Sequence, residues 1–430
     1  MRRHVLFGVA AALLLASSAH AAPAVRGGDA PVKAIVASPQ WKAARDALKA
    51  GHDRFVSDIV TITEIPAPPF GEEKRGAAVR AMFDQIGLSD VRVDAVGNVI
   101  GLRKGTGADN GLVVIAAHLD TVFPAGTDVK VKREGTVLSA PGIGDDSRGV
   151  AALIAIARAL DAGKIRTKRD ILFIANVGEE GQGDLRGVRH FFGNDPLAKR
   201  TSAFFSVDGT DASRIVNGGV GSKRYRAIFR GPGGHSYGAF GLVNPMVAMA
   251  KSVAALYEIS PPKDPKTTYS ASVTGGGTSV NSIPNAVFME FDMRSESAAE
   301  LAALDGKFRA IVEQAVADEN AARSTRAGTI SVELKVIGER PAGQTPDDSS
   351  LVRNTQAAIR AVGLSPTLEA SSTDSNIPMS IGVPAVTIGS GGIGARAHAL
   401  DEHIDVAEPL SSQGLIAALT SLVAAAGLAR

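Results

Sequence analysis

The sequence predicts an α/β protein: a mostly parallel sheet with helices on both faces, interrupted by an inserted ferredoxin-like (βαββαβ) domain. Three observations predict it. The chain has 430 residues, more than one hydrophobic core usually serves. From Trp41 to Thr210, helical patterns alternate with the continuous apolar runs Leu112–Ala117, Ile171–Ala175 and Ala203–Val207, as strands buried on both faces require. From about Asn217 to Arg340 another rhythm takes over, and afterwards the first one resumes.

In chain order, the first 21 residues stand apart. Arg2 and Arg3 precede the apolar run Val5–Ala16, and Ala19-His20-Ala21 fits a cleavage site. Residues 1–21 are therefore expected to be a signal peptide, and the chain to be exported to the periplasm or secreted. The apolar run is too short to span a bilayer comfortably, and no later segment reaches about 18 unbroken apolar residues, so no membrane association is expected once the leader is gone. Trp41–Ile65 reads as a helix that ends at the turn-rich Pro66-Ala67-Pro68-Pro69, and Glu73–Leu88 as another. Ser147–Ala162 has helical periodicity between two of the strand-like runs.

The middle segment reads as strand Arg224–Arg230, helix Pro245–Ile259, strand Tyr269–Thr274, strand Ala286–Arg294, helix Ala298–Arg323 and strand Ile330–Ile337. Ala286–Arg294 alternates clearly, with Val287, Met289, Phe291 and Met293 on one side. Helix Ser350–Val362, strand Ala385–Ile388 and helix Leu410–Leu428 complete the chain. The expected main domain is thus discontinuous, residues 22–216 and 341–430, around an insert at 217–340.

Composition narrows the chemistry. With no cysteine, disulfides, thiolate metal sites, iron–sulfur clusters and a cysteine nucleophile are excluded, and any metal must be held by His, Asp and Glu. Without the two leader arginines, the 46 basic residues fall to the number of the 44 acidic ones, which leaves no electrostatic footprint for nucleic acid.

Catalytic groups in parallel α/β sheets sit just past the carboxyl ends of strands. Here those ends carry His118-Leu119-Asp120, Gly178-Glu179-Glu180-Gly181 and Asp208, with His398 in the loop after Ala385–Ile388. The loop Pro141-Gly142-Ile143-Gly144 adds Asp145-Asp146 just ahead of a helix. Each alone has a bland explanation: a hydrogen-bonded His, a helix cap, a solvated acidic pair, a turn residue. Together they converge on one edge of the sheet, where stability has no use for uncompensated carboxylates. Two His and several acids without Cys suit one or two divalent metals. If one glutamate of Glu179-Glu180 is a ligand, its neighbour can serve as general base, and Asp120 suits a carboxylate that orients the His118 imidazole.

Other motifs fail on context. Gly234-His235-Ser236-Tyr237-Gly238 fits the nucleophile-elbow pattern, but no strand runs directly into Ser236 and no helix leaves directly from it. A serine esterase using Ser236 remains the alternative of a different class, beside a non-catalytic periplasmic peptide-binding protein. Gly142-Ile143-Gly144 begins like a dinucleotide loop, yet Asp145 and Asp146 would repel a phosphate. Gly221-Ser222-Lys223 lacks the spacing of a phosphate-binding loop.

The ordered motifs His118-Leu119-Asp120, Gly144-Asp145-Asp146, Gly178-Glu179-Glu180-Gly181, Val207-Asp208-Gly209 and His398-Ala399-Leu400-Asp401-Glu402 resemble those of the dinuclear zinc exopeptidases and deacylases. That family includes peptidase T, carboxypeptidase G, aminoacylase and succinyl-diaminopimelate desuccinylase. The resemblance implies two Zn2+ per subunit, with Co2+ or Mn2+ able to use the same donors. It implies that His118 and Asp208 hold one ion, Glu180 and His398 the other, and that Asp145 bridges them. Asp146 stays open as the bridge, because the basic residue expected two positions after the bridging acid is replaced by Ser147, with Arg148 one further on. His403 would stand in for His398 if the loop register were shifted.

By the same resemblance, Glu179 is the general base, Asp120 orients His118, and His235 reaches from a partner subunit to the oxyanion. Asn281 contacts substrate, Arg340 binds a substrate carboxylate, and Arg294 is structural. The implied partners are a small peptide or N-acyl amino acid and a second copy of the chain, joined through the insert. Asp208, where other members carry Glu, leans toward aminopeptidases and dipeptidases. An N-acyl-amino-acid deacylase or a carboxypeptidase of the same chemistry is the alternative.

Overall fold

The strand Leu112–His118 is buried along its whole length, and its two faces feed two different cores. Val113, Ile115 and Ala117 pack into the larger core and Leu112, Val114 and Ala116 into the smaller one, as side-chain alternation along a strand dictates. Each large apolar side chain so buried contributes about 1.5–3 kcal/mol. This computed structural model describes residues 29–429; the leader expected at 1–21 lies outside them.

The strand belongs to a nine-stranded sheet. Its path runs Ser89–Val93, Val99–Arg103, Asp170–Asn176, Leu112–His118, Thr201–Val207, Ala385–Ile388, Arg214–Gly219 and Gly343–Gln344, with Thr367–Ser371 paired off it to Arg214–Gly219. The middle four strands are parallel. Toward both edges the pairing turns antiparallel, at Val99–Arg103 against Asp170–Asn176 and at Ala385–Ile388 against Arg214–Gly219. The sheet is therefore mostly parallel only at its centre, which is the part the continuous apolar runs predict.

The single helix expected at Trp41–Ile65 is two, Pro39–Ala50 and His52–Thr63, preceded by Asp29–Ala37. Ser38 caps the second helix by accepting from the Trp41 N–H, with Pro39 at the first position. The break falls at Gly51, where an added Cβ would stand 3.0 Å from the Ala47 carbonyl oxygen.

The insert follows Arg214–Gly219 and returns at Gly343–Gln344. It contains strand Gly221–Arg230, helix Pro245–Leu256, strands Thr267–Gly276 and Ala286–Ser295, helix Ala298–Ala322 and strand Ser331–Arg340. The four strands form an antiparallel sheet in the order Thr267–Gly276, Ala286–Ser295, Gly221–Arg230, Ser331–Arg340, which is ferredoxin-like. Tyr225, Phe229, Val287, Phe291 and Met293 cover one face together with Leu301, Leu304 and Phe308 from the long helix. The alternate positions Arg224, Asp292 and Arg294 lie on the other face.

Besides the outer strands of the main sheet and the helices Asp29–Ala37 and Arg186–Asn194, two small sheets are absent from the sequence reading. Gly234–His235 pairs with Ser282–Ile283 in a short ribbon. A second four-stranded sheet joins Ile393–Ala395, His403–Asp405, Val137–Ser139 and Lys132–Glu134, which brings the loop of His398 beside the loop of Asp145. Among the described residues, no helix is long and apolar enough to cross a membrane.

Candidate metal centre

The carboxyl ends of the parallel strands deliver the side chains that the sequence singles out. His118 ends Leu112–His118, Glu179 and Glu180 follow Asp170–Asn176, and Asp208 follows Thr201–Val207. His398 reaches the same place from the loop beyond Ala385–Ile388, in left-handed backbone conformation (φ 67°). Among the described residues, His118, Glu179 and Glu180 have ligand atoms within 4.8 Å of one another, and so do two further donor sets: His118, Asp145 and Asp208, and Asp145, Glu180 and His398. Asp145 is common to these last two. Its Oδ1 lies 3.0 Å from His118 Nε2 and its Oδ2 3.0 Å from His398 Nε2. Glu180 Oε1 lies 2.8 Å from His398 Nε2.

Asp146 points elsewhere. Its Oδ2 accepts the backbone N–H of His118 at 3.1 Å, and its Oδ1 is buried without a partner. Gly149 is what permits this, since a Cβ there would stand 2.1 Å from Asp146 Oδ1. His403 packs against the Asp401 carbonyl oxygen through Nδ1 (3.1 Å), not against the acids.

Asp120 faces both His118 and the Glu179-Glu180 turn. His118 Nδ1 lies 3.0 Å from the backbone oxygen of Asp120 and 3.6 Å from its carboxylate. The two carboxylate oxygens accept the N–H groups of Glu179 (3.0 Å) and Glu180 (2.8 Å), which fixes the Glu-Glu turn. Arg340 Nη1 donates to Glu179 Oε1 at 3.0 Å and to Ser372 Oγ at 3.1 Å. Its Nη2 donates to the Glu179 carbonyl. Two of its guanidinium nitrogens are thus engaged with Glu179, and its Nε is buried without a hydrogen-bond partner.

The electrostatics follow from crowding acids below the surface. Burial lifts the Asp208 carboxyl to about 6, and the charge of Asp145 adds to it. Burial also raises Glu179 well above the usual carboxylate range, against the pull of Arg340. Burial opposes charging of His118, but hydrogen bonds to Asp120 and Asp145 outweigh it and hold its pKa well above the ordinary value. Hydrogen bonds to Asp145 and Glu180 lift His398 to about 10. Carboxylates crowded beside two imidazoles are a donor set matched to divalent cations. The residues present therefore fit the group that the sequence implies.

The centre opens into a cavity of about 660 Å³ lined by Asp145, Glu179, Glu180, Asp208 and His398. Arg214, Arg224, Arg294, Arg340 and Arg396 are also on its wall. Arg294, expected to be structural, lines this cavity: its Nε and that of Arg224 both donate to Asp292, at 2.7 and 3.0 Å. His235 and Asn281 do not join the centre. Both are exposed on the insert, His235 in the short ribbon with its Nδ1 accepting from the Tyr237 N–H (3.2 Å), and Asn281 accepting from Ser279 Oγ (2.6 Å). Ser236 lies beside them; its N–H donates to the Asn281 carbonyl.

Three supporting residues escape the sequence reading. Arg75, fully buried, donates to the Leu119 carbonyl (2.8 Å) between His118 and Asp120. Asp374, also buried, accepts from Asn176 Nδ2 at 2.7 Å, and burial lifts it to about 7. Glu402 accepts the backbone N–H groups of Gly142, Gly144 and Asp145. Burial raises its carboxyl to about 7, and the N–H groups of Gly144, Asp145 and Gly142 pull the other way. Only Glu402 had a signal, as the last residue of the His398 motif.

A stretch of 129 residues is 28% identical to a provisionally named LysW-lysine/LysW-ornithine hydrolase of Pyrococcus abyssi; it covers 30% of this chain and 34% of that one. The match thus spans about a third of the curated relative's length. The fold is shared with aminopeptidase PepT of Bacillus cereus (TM-score 0.71, 23% identity, 87% of this chain and 99% of that one). It is also shared with the YXEP protein of Bacillus subtilis, a dinuclear metal binding peptidase (TM-score 0.62, 18% identity, 88% and 97%). The model of peptidase family M20/M25/M40 matches residues 114–421. That match runs from the strand delivering His118 to the last helix, and on its extent the chain belongs to peptidase family M20/M25/M40.

Proposed function

We propose that the protein is a dizinc exopeptidase that hydrolyses an amide bond of a small peptide, with an aminopeptidase or dipeptidase preference. The observation that carries this reading is the sharing of Asp145 between two donor sets, one with His118 and Asp208, the other with Glu180 and His398. Cations held there would polarise the scissile carbonyl and make water a better nucleophile. Glu179 takes the proton of the attacking water and returns it to the leaving nitrogen. Asp120 and Arg340 keep the Glu179 backbone and carboxylate in place for both transfers. His235 donates to the oxyanion from a second copy of the chain, and Asn281 contacts the substrate from the same ribbon. Their exposure beside Tyr237, Phe240 and Val280 supports a partner-covered surface. Export through residues 1–21 is part of the same proposal and rests on their sequence.

A second reading has its own support. Arg224 and Arg294 share the single carboxylate of Asp292 through their Nε atoms, on the cavity wall. Guanidinium forks at that place suit a substrate carboxylate, as an N-acyl-amino-acid deacylase or a carboxypeptidase requires. One panel tests both: free and end-blocked dipeptides and tripeptides beside N-acyl amino acids, assayed with chelator and with Zn2+, Co2+ or Mn2+ restored. Activity lost on chelation and regained with metal supports the proposal. Activity that survives chelation but is abolished by a covalent serine reagent overturns it in favour of Ser236, and binding without turnover overturns it in favour of a binding protein.

A further inference from the structure

We infer that Glu402 is a positioning residue for the whole metal centre, the acceptor around which the Gly142–Asp145 loop is built. The inference rests on the metal reading above and concerns a side chain outside both donor sets. Glu402 is 1% exposed. It receives three backbone N–H groups, from Gly142 at 3.0 Å, Gly144 at 2.7 Å and Asp145 at 2.9 Å. Successive N–H groups converging in this way form a concavity for an anion. The glycine-rich loop that begins like a phosphate-binding one therefore has its anion already, supplied by the chain itself.

The glycines follow from the same arrangement. Gly142 is in left-handed conformation (φ 74°), where a side chain would be strained. At Gly144 a Cβ would stand 3.0 Å from Ile404 Cγ2 and 3.1 Å from Glu402 Oε1, so glycine is what lets the loop close on the carboxylate.

Glu402 lies four residues after His398, and its carbonyl oxygen accepts the Ala140 N–H at 3.0 Å. The strands on either side, His403–Asp405 and Val137–Ser139, pair in the small sheet. One residue thus ties the loop that carries His398 to the loop that carries Asp145. Because Asp145 faces both imidazoles, loosening it disturbs both donor sets at once. His398 belongs to one set only.

This gives a test that activity alone could not supply. Chelator-treated full-length protein is titrated with Zn2+ by calorimetry, its bound metal is counted by elemental analysis, and its melting temperature and circular dichroism are recorded. In Glu402→Gln, the amide places a donor where an N–H must be accepted. Both metal affinities are expected to fall about 10–100-fold together, as loss of a group that holds a ligand does, with the fold retained. In Glu402→Asp the charge remains but all three N–H groups are no longer within reach, and both affinities fall by a smaller factor. His398→Ala loses one metal and keeps the other. A folded Glu402→Gln that binds both metals as the wild type does, or that loses only one, overturns the inference and leaves the functional reading standing. If Glu402→Gln does not fold, the same two outcomes are read from Glu402→Asp. A wild-type chain that takes up no metal overturns the functional reading, and this inference with it.

Discussion

The edge of the parallel sheet and the tip of the insert treat their polar residues in opposite ways. At the sheet edge, His118, Asp120 and Glu179 are buried, and each is held by other groups of the same chain. At the tip, His235 and Asn281 are exposed, and they engage little besides neighbouring backbone and Ser279. The first region is preorganised within one chain. The second leaves its histidine and asparagine open to solvent.

The two regions can be separated by substitution. The largest effect is expected at the sheet edge: Glu179→Ala should lower kcat about 10⁴-fold, the upper end for a proton-transfer group because it acts twice, while bound metal is unchanged. Steady-state kinetics with metal analysis checks this, and full turnover in the metal-loaded variant would remove Glu179 from the mechanism. Next is the insert's core. Phe308 is 1% exposed and its ring lies 4.7 Å from Phe291 and 5.4 Å from Tyr225. Phe308→Ala should cost about 3–5 kcal/mol, read by denaturant unfolding, without changing metal affinity at the sheet edge.

At the tip, His235→Ala should lower kcat about 10²-fold, the loss of one oxyanion donor, again with metal content intact. If the histidine acts from the other copy, mixing His235→Ala with Glu179→Ala chains restores activity above the level of either variant alone. No restoration would place the donor within one chain.

The smallest effect concerns Asp305, whose Oδ2 accepts from Lys223 Nζ at 3.0 Å. Burial acts to raise its carboxyl, but the hydrogen bonds from Lys223 and Tyr225 prevail and hold it below the ordinary value. A folded-state pKa below the unfolded one adds stability that is fully present above about pH 4 and is lost as pH falls through the folded value. Asp305→Asn should therefore cost less than about 1 kcal/mol at neutral pH. The difference from wild type should vanish in acid, as measured by urea unfolding across pH.

The same contrast explains how much could be read in advance. The strand ends were legible because a parallel strand is a continuous apolar run, so the acid or histidine that stops it marks its place. The ferredoxin-like order was legible from the alternation of Ala286–Arg294 and the long helix after it. The break at Gly51 was not, because the helical pattern continues on both sides of it. Three-residue strands such as Val137–Ser139 and His403–Asp405 carry no periodicity and exist only because they pair with each other. Asp374 and Glu402 act on Asn176 and Gly144 across 198 and 258 residues of chain. No local pattern records such distances.

The proposed function requires two cations gathered about Asp145, and elemental analysis of the active, freshly purified protein tests that most directly. It predicts two equivalents of a divalent transition metal per chain, with activity falling in step as a chelator withdraws them. Full activity in protein that carries less than one equivalent would contradict it.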